Sequence, residues 1–329
     1  MEVDAESVRV ILADKKDGAE LRILGRGEAR LQGFRDGKIT HAGDLVESIG
    51  EAADHAQRAA GLRIEKLFYN FNDEKIESVW PAGSKILDGE GEIQASDVRA
   101  AAGAAERLAG NFEKKIIYSA EVDYVIDDKD PVANPVGIFG HKLDVKTHLL
   151  LVRADWSDRW SRLLARAGFS RTTPVLSGLS STHAVLSREE RRETKIVWDL
   201  SKAYCNGLVI SGGRILEYRT FLTSPEELES VSAVCVEFRK KHPAVSEAIF
   251  TGSLLKEGDL FAKIQAALAL PVRTAAPSVA GLAETGFSSI AGLLQVASDI
   301  EKRSTAVRPE KKTLGHAREK VRAFLSDYF

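Results

Sequence analysis

The spacing of apolar residues changes period several times along the chain, and each change marks an element. Val8 to Ala13 and Glu20 to Gly25 read as strands, with a polar turn at Lys15 to Gly18 between them. After Gly43, Asp44 stands three residues before Glu47, the spacing of a capping box. Leu45, Ile49, Ala52, Ala56 and Ala60 then recur at helical spacing up to Gly61, which predicts a helix with one buried face. From Arg63 to Trp80 the period is that of strands. Ser96 opens an alanine-rich helix running to Leu108, and Ile116 to Ile126 is strand-like again.

A second lobe is expected from about Val185. Ile196 to Trp198 and Leu208 to Ile210 read as strands, Ser211-Gly212-Gly213 as a tight turn and Ile215 to Phe221 as the return strand. Ser224, Pro225 and Glu227 form a strong helix start, with Leu228, Val231, Val234, Cys235 and Phe238 along one face. Strands followed by helices in both halves predict an α/β architecture. Glu301 to Lys312 is polar, contains Pro309 and reads as a linker. Beyond it, Leu314, Ala317, Val321, Phe324, Leu325 and Tyr328 share one helical face with Phe329 beside them, interleaved with Arg318, Lys320 and Arg322. By periodicity this terminal helix either docks on protein or lies in the interface of an anionic membrane, cations toward lipid phosphates.

Composition narrows the class. With 329 residues, 44% hydrophobic and 29% charged, the chain can bury two cores. A net charge of −2 gives no support for nucleic acid as a partner. No signal peptide or bilayer-spanning run is read, and Cys205 and Cys235 form no motif, so a cytoplasmic setting is expected. The seven histidines show no metal-binding spacing, and His141 and His148 are expected to be surface or packing residues. Ser177 to Ser181 lacks the G-x-S-x-G elbow, and Gly212-Gly213 is not followed by a helix as a dinucleotide fingerprint requires.

The most specific segment is Tyr124 to Leu150, YVIDDKDPVANPVGIFGHKLDVKTHLL. Asp130-Pro131 and Asn134-Pro135 enclose a polar turn, followed by Val136-Gly137-Ile138-Phe139-Gly140 and an alternating strand. It resembles the D-P-V-G-M-x-G segment of FtsA, the actin-like family that tethers the bacterial division ring to the membrane. There the segment closes an inserted SHS2-type module, subdomain 1C. Other islands follow in family order: Val8 to Ile39, Ile249 to Leu260, Leu270 to Pro277 and the helix around Ile290 to Leu294. The resemblance implies a two-lobed actin-like (ribonuclease H-like) α/β fold. Lobe 1 would occupy 1–62 and 147–185, the 1C module 63–146, and a reduced lobe 2 186–283. A last core helix at 284–303, a linker at 304–312 and an amphipathic membrane-targeting helix at 313–329 would follow.

The family holds Mg-ATP between two glycine-bearing hairpins, because glycine lets backbone N–H groups approach phosphate. The residues aligned with the first hairpin, Glu2-Val3-Asp4-Ala5-Glu6, start partway through its strand and contain no glycine; Asp4 and Glu6 place acid where the triphosphate would sit. In the second, Asp199 remains, Ser201 and Lys202 replace glycines, and Tyr204 and Cys205 replace hydroxyls. Lys202 reads either as a cation within reach of phosphate or as an exposed lysine on an ordinary hairpin. Thr251-Gly252-Ser253 keeps half of the adenosine-side Thr-Gly-Gly motif. Between Phe221 and Thr251 there is room for one helix, where FtsA carries subdomain 2B and its dock for the FtsZ tail. The resemblance with these departures implies a pseudo-ATPase, with weak ATP/Mg binding left open. Leu314, Val321, Phe324, Leu325, Tyr328 and Phe329 would insert into the inner face of the cytoplasmic membrane, and Arg318, Lys320 and Arg322 would meet headgroups. Partners would be other copies of the chain through 1C and division proteins, with FtsZ open. Two alternatives remain: a PilM-like pilus or secretion assembly protein that binds a membrane-protein peptide, and a true ATPase of the actin/Hsp70 superfamily.

Overall fold

The computed structural model describes residues 1–15, 21–256, 260–268 and 270–306. Among the described residues two compact units emerge, one from Met1–Glu74 together with residues 156–306, the other from Lys75–Asp155.

In chain order the first unit opens with β1 (Glu2–Val3), β2 (Ser7–Asp14) and β3 (Arg22–Arg30), a small hairpin of β4 (Phe34–Arg35) and β5 (Lys38–Ile39), then α1 (Ala42–Ala60) and β6 (Leu67–Phe71). The second unit contains β7 (Glu77–Val79), β8 (Ala82–Glu92), α2 (Ala95–Ala109), β9 (Lys114–Ile126) and β10 (Phe139–Arg153). The chain continues through α3 (Ala154–Arg166), β11 (Thr172–Leu176) and α4 (Ser177–Val185). The second lobe follows with β12 (Lys195–Leu200), β13 (Tyr204–Ser211), β14 (Arg214–Leu222), α5 (Pro225–Lys241), β15 (Glu247–Thr251), α6 (Leu260–Leu268), β16 (Val272–Thr274) and α7 (Ser288–Ala306).

The two lobes of the first unit repeat one topology. Strands β1, β2 and β3 form an antiparallel meander, and β6 pairs parallel with β11. Met1 joins these two pieces: its amino group donates to Phe68 O at 2.7 Å, and Asn70 N donates to Met1 O at 3.0 Å. The resulting order β3-β2-β1-β6-β11 matches β14-β13-β12-β15-β16 in the second lobe, strand for strand. The two lobes agree with the two-lobed α/β fold that the resemblance implies. Each sheet supports its own core. In lobe 1, Trp160 packs against Phe34, Tyr69 and Trp156; in lobe 2, Trp198, Cys205, Phe238 and Phe250 are fully buried. Helices α4 and α7 cross closely because Gly292 has no side chain: a Cβ there would lie 1.6 Å from Ser180 O.

The second unit is built around β10, which carries β8 and β7 along one edge and β9 along the other. Helix α2 lays Ala101 and Ala102 over Ile93, Tyr124, Leu143 and Val145. The Pro-rich segment is fixed by local chemistry. Val132 N donates to Tyr124 O, Val136 N to the Asn134 side chain, and Gly137 N to Ile93 O, so the chain turns directly into β10.

Several expectations shift. The module expected at 63–146 gives up its first strand, because β6 pairs with β11 in lobe 1; the compact unit runs from Lys75 to Asp155. Helix α1 starts at Ala42 with His41 as an N-cap that makes no side-chain bond, so Asp44 falls in the first turn, where the helix dipole favours it, and not at the cap. Helix α2 begins at Ala95, one residue before Ser96, with Asp97 accepting from Gln94 N at 2.9 Å. Residues 304–306, expected in the linker, continue α7. Ser224 caps α5 as expected, accepting from Glu227 N at 3.2 Å, and α5 is the only helix between β14 and β15. The turn expected at Lys15–Gly18 falls largely at 16–20, and the remaining linker and the amphipathic helix at 313–329 lie beyond residue 306; these lie outside the described residues. No helix among the described residues is long and apolar enough to cross a membrane.

Candidate functional site

The aligned nucleotide motifs converge in the cleft between the two lobes of the first unit. Asp199, the penultimate residue of β12, is flanked by Asn206 on β13 and Thr251 on β15, so it lies at the centre of the second sheet, 2% exposed. Ser201 Oγ donates to Asp199 Oδ1 at 2.6 Å, and Ser181 Oγ, from the fully buried helix α4, donates to Oδ2. Burial pushes the Asp199 carboxyl up to about 6 against these two hydroxyls, and the charge of Asp4 adds to the rise.

The β12–β13 hairpin uses its own backbone. Ser201 N donates to Tyr204 O at 3.2 Å, and Thr223 Oγ1 donates to Ser201 O at 2.6 Å. Lys202 crosses to the β1–β2 turn of the other lobe, its Nζ 3.2 Å from each carboxylate oxygen of Glu6. In that turn Asp4 N donates to Ser7 O at 3.0 Å. Arg9 on β2 gathers the remaining acid, with Glu2 at 3.3 Å, Asp4 at 3.5 Å and Glu28 at 3.3 Å, and its guanidinium lies 5.2 Å from the Phe287 ring centroid. Glu2 is buried and also accepts from Ser289 Oγ on α7. Burial raises its carboxyl to about 7, opposed by Arg9 and reinforced by Asp4 and Asp199.

The third motif closes the back of the cleft. Thr251 Oγ1 and Ser288 Oγ are 2.6 Å apart, and Gly252 N donates to Thr285 O at 3.2 Å. Gly252 has φ +111°, and a Cβ there would lie 2.2 Å from Leu200 O. Ser253 begins a short 3-10 turn, Ser253–Lys256.

Asp199, Ser201, Lys202, Thr251, Gly252 and Ser253 thus surround one cleft. Sequence reasoning missed Ser181, Ser288, Ser289 and Arg9, all drawn into it. Only the run of small hydroxyl residues from Ser177 to Thr182 was a visible signal. Among the described residues, no group of three or more His, Cys, Asp or Glu side chains is set to hold a metal. His141 is exposed beside Asp127, and His148 is buried, stacked on Trp80 at 4.9 Å. The lipid-facing residues expected at 314–329 lie outside the described residues.

The profile of the SHS2 domain inserted in FtsA matches residues 74–151, the extent of the second unit within a few residues. Cell division protein FtsA of Pseudomonas aeruginosa is 25% identical over 191 residues, covering 58% of this chain and 46% of the relative. FtsA of Bacillus subtilis is 24% identical over 229 residues, 69% of this chain and 52% of the relative. The chain is FtsA-like. It spans about half the length of the curated FtsA relatives it matches. A solved PilM–PilN type IV pilus biogenesis complex superposes with a TM-score of 0.61 at 12% identity, covering 89% of this chain and 96% of that one, which establishes the shared actin-like fold. This FtsA-like chain therefore has an actin-like core carrying an SHS2 domain between β6 and α3.

Proposed function

We propose that this FtsA-like chain is a scaffold of bacterial cell division, cytoplasmic and peripheral on the inner face of the cell membrane, that does not hydrolyse ATP. The observation that carries this reading is the SHS2 domain set between β6 and α3 of an actin-like core, together with FtsA relatives along the sequence.

The cleft supports the pseudo-ATPase part. In FtsA-type sites backbone N–H groups meet the phosphates, yet here Asp4 N and Ser201 N are spent on Ser7 O and Tyr204 O. The lysine that could meet a phosphate is paired with Glu6, and Glu2, Asp4 and Asp199 present acid to any polyanion. Mg-ATP does not fit this residue set. A single helix, α5, stands where FtsA carries its 2B subdomain, so any engagement of FtsZ uses another surface. Assembly is assigned to the SHS2 domain, which leaves Ile86 74% exposed and Phe112 fully so.

Membrane association is assigned to residues 313–329. One short amphipathic helix binds weakly, and several in an assembly bind firmly through avidity. The test is flotation with anionic vesicles of the full chain and of a chain ending at Lys312. Loss of binding on truncation supports the reading. Equal behaviour favours the PilM-like alternative, in which a peptide supplies the link to the membrane.

A further inference from the structure

Outside the cleft, a groove of about 640 Å³ runs along α7 in the first unit. Ile290, Leu293, Leu294, Ala297, Ser298 and Glu301 line it, a stripe at helical spacing that runs for about 16 Å at 1.5 Å per residue. Ile11, Ala13 and Leu24 from β2 and β3 form its floor, and Leu62 and Ile64, between α1 and β6, form the opposite wall. Leu62 is 51% exposed, and the Lys66–Glu301 ion pair spans the groove. The middle is apolar and the rim carries both charge signs, so the occupant it suits is an apolar face.

We propose that this groove is the dock of the chain's own terminal segment, residues 313–329, when that segment is not on a membrane. Three observations support it. The groove's wall is the helix that leads into the segment: α7 is described to Ala306, and the first apolar tail position is Leu314. Eight residues extend up to about 27 Å, more than the groove's length, and fall within the usual span of helix–helix connections, so the tail can fold back along α7 as a hairpin. The faces also agree: the groove's middle is apolar, and the tail offers Leu314, Val321, Phe324 and Leu325 at helical spacing. Finally, a tether of this length gives a millimolar effective concentration, which favours the chain's own tail over a free peptide.

The apolar face that would fill the groove is the face assigned to lipid, so docking and membrane binding exclude each other. The docking itself does not depend on the lipid reading; only its regulatory consequence does.

The experiment uses the full chain with Ala297→Trp, which fills the groove from α7, Leu62→Asp, which alters the opposite wall, and Leu325→Asp in the tail. Amide hydrogen exchange without lipid is read first. Protection of residues 314–328 that is lost in either groove variant, with loss of protection at 62–68 in Leu325→Asp, is the expected result. A tail without protection, or a groove indifferent to Leu325→Asp, overturns the proposal. Protection that grows with protein concentration also overturns it, by making the occupant a second copy. Flotation is read second. Both groove variants are expected to raise the vesicle-bound fraction several-fold. If the tail docks and is released but no form floats, docking stands and the membrane reading fails. Unchanged exchange at β12–β15 verifies that each variant is folded.

Discussion

Replacing Asp199 with asparagine isolates the electrostatic cost of the cleft. The carboxyl is raised to about 6 from 3.8, chiefly by burial, with the Ser181 and Ser201 hydroxyls opposing. A group that binds its proton more tightly in the folded state destabilises that state as pH rises from the unfolded pKa through the folded one. Well below pH 3.8 both states are protonated and the cost vanishes. By pH 7.5 both are ionised and the full cost is present. About two units at 1.36 kcal/mol each put that cost near 3 kcal/mol. Asparagine keeps the shape, and one serine can turn to accept from its amide. Asp199→Asn is therefore expected to gain about 2.5 kcal/mol on the wild type between pH 4 and pH 7.5, most of it from pH 4 to 6.5. Urea unfolding followed by tryptophan fluorescence measures this, since Trp156, Trp160 and Trp198 are buried in the first unit. A stability difference independent of pH, or largest at pH 4, would exclude the buried Asp199 charge as its cause.

Other substitutions test neighbouring features. Gly252→Ala puts a Cβ against Leu200 O at a φ of +111°, and is expected to cost more than about 2 kcal/mol in the same unfolding assay. Trp80→Ala removes the ring stacked on the buried His148, and is expected to lower the stability of the SHS2 unit by about 1–3 kcal/mol, seen as faster exchange in β9 and β10 with β12–β15 unchanged. Lys202→Ala breaks only a partly exposed pair and is expected to change stability by less than about 1 kcal/mol.

What could be read from the sequence was what local chemistry determines. The Asp130–Gly140 segment was legible because its turns are made by its own prolines, Asn134 and Gly137. The Ser224 cap was legible for the same reason. The place of β6 was not, because its partner β11 lies a whole inserted domain later and strand period says nothing about pairing. The same limit hid half of the cleft. Asp199 and Lys202 stood in a known motif, but Ser181 and Ser289 reach it from helices whose other positions read as packing, and Arg9 alternates along β2 as a solvent-facing residue would. Charges that neutralise each other across 196 residues, as Glu6 and Lys202 do, leave no periodic signal.

In the function proposed for this chain, its own side chains take the place of nucleotide in the cleft, and isothermal titration of Mg-ATP into the full chain measures whether they do. No saturable binding tighter than about 1 mM is the expected result. A micromolar dissociation constant, lost in Lys202→Ala, would contradict it and return the cleft to nucleotide chemistry.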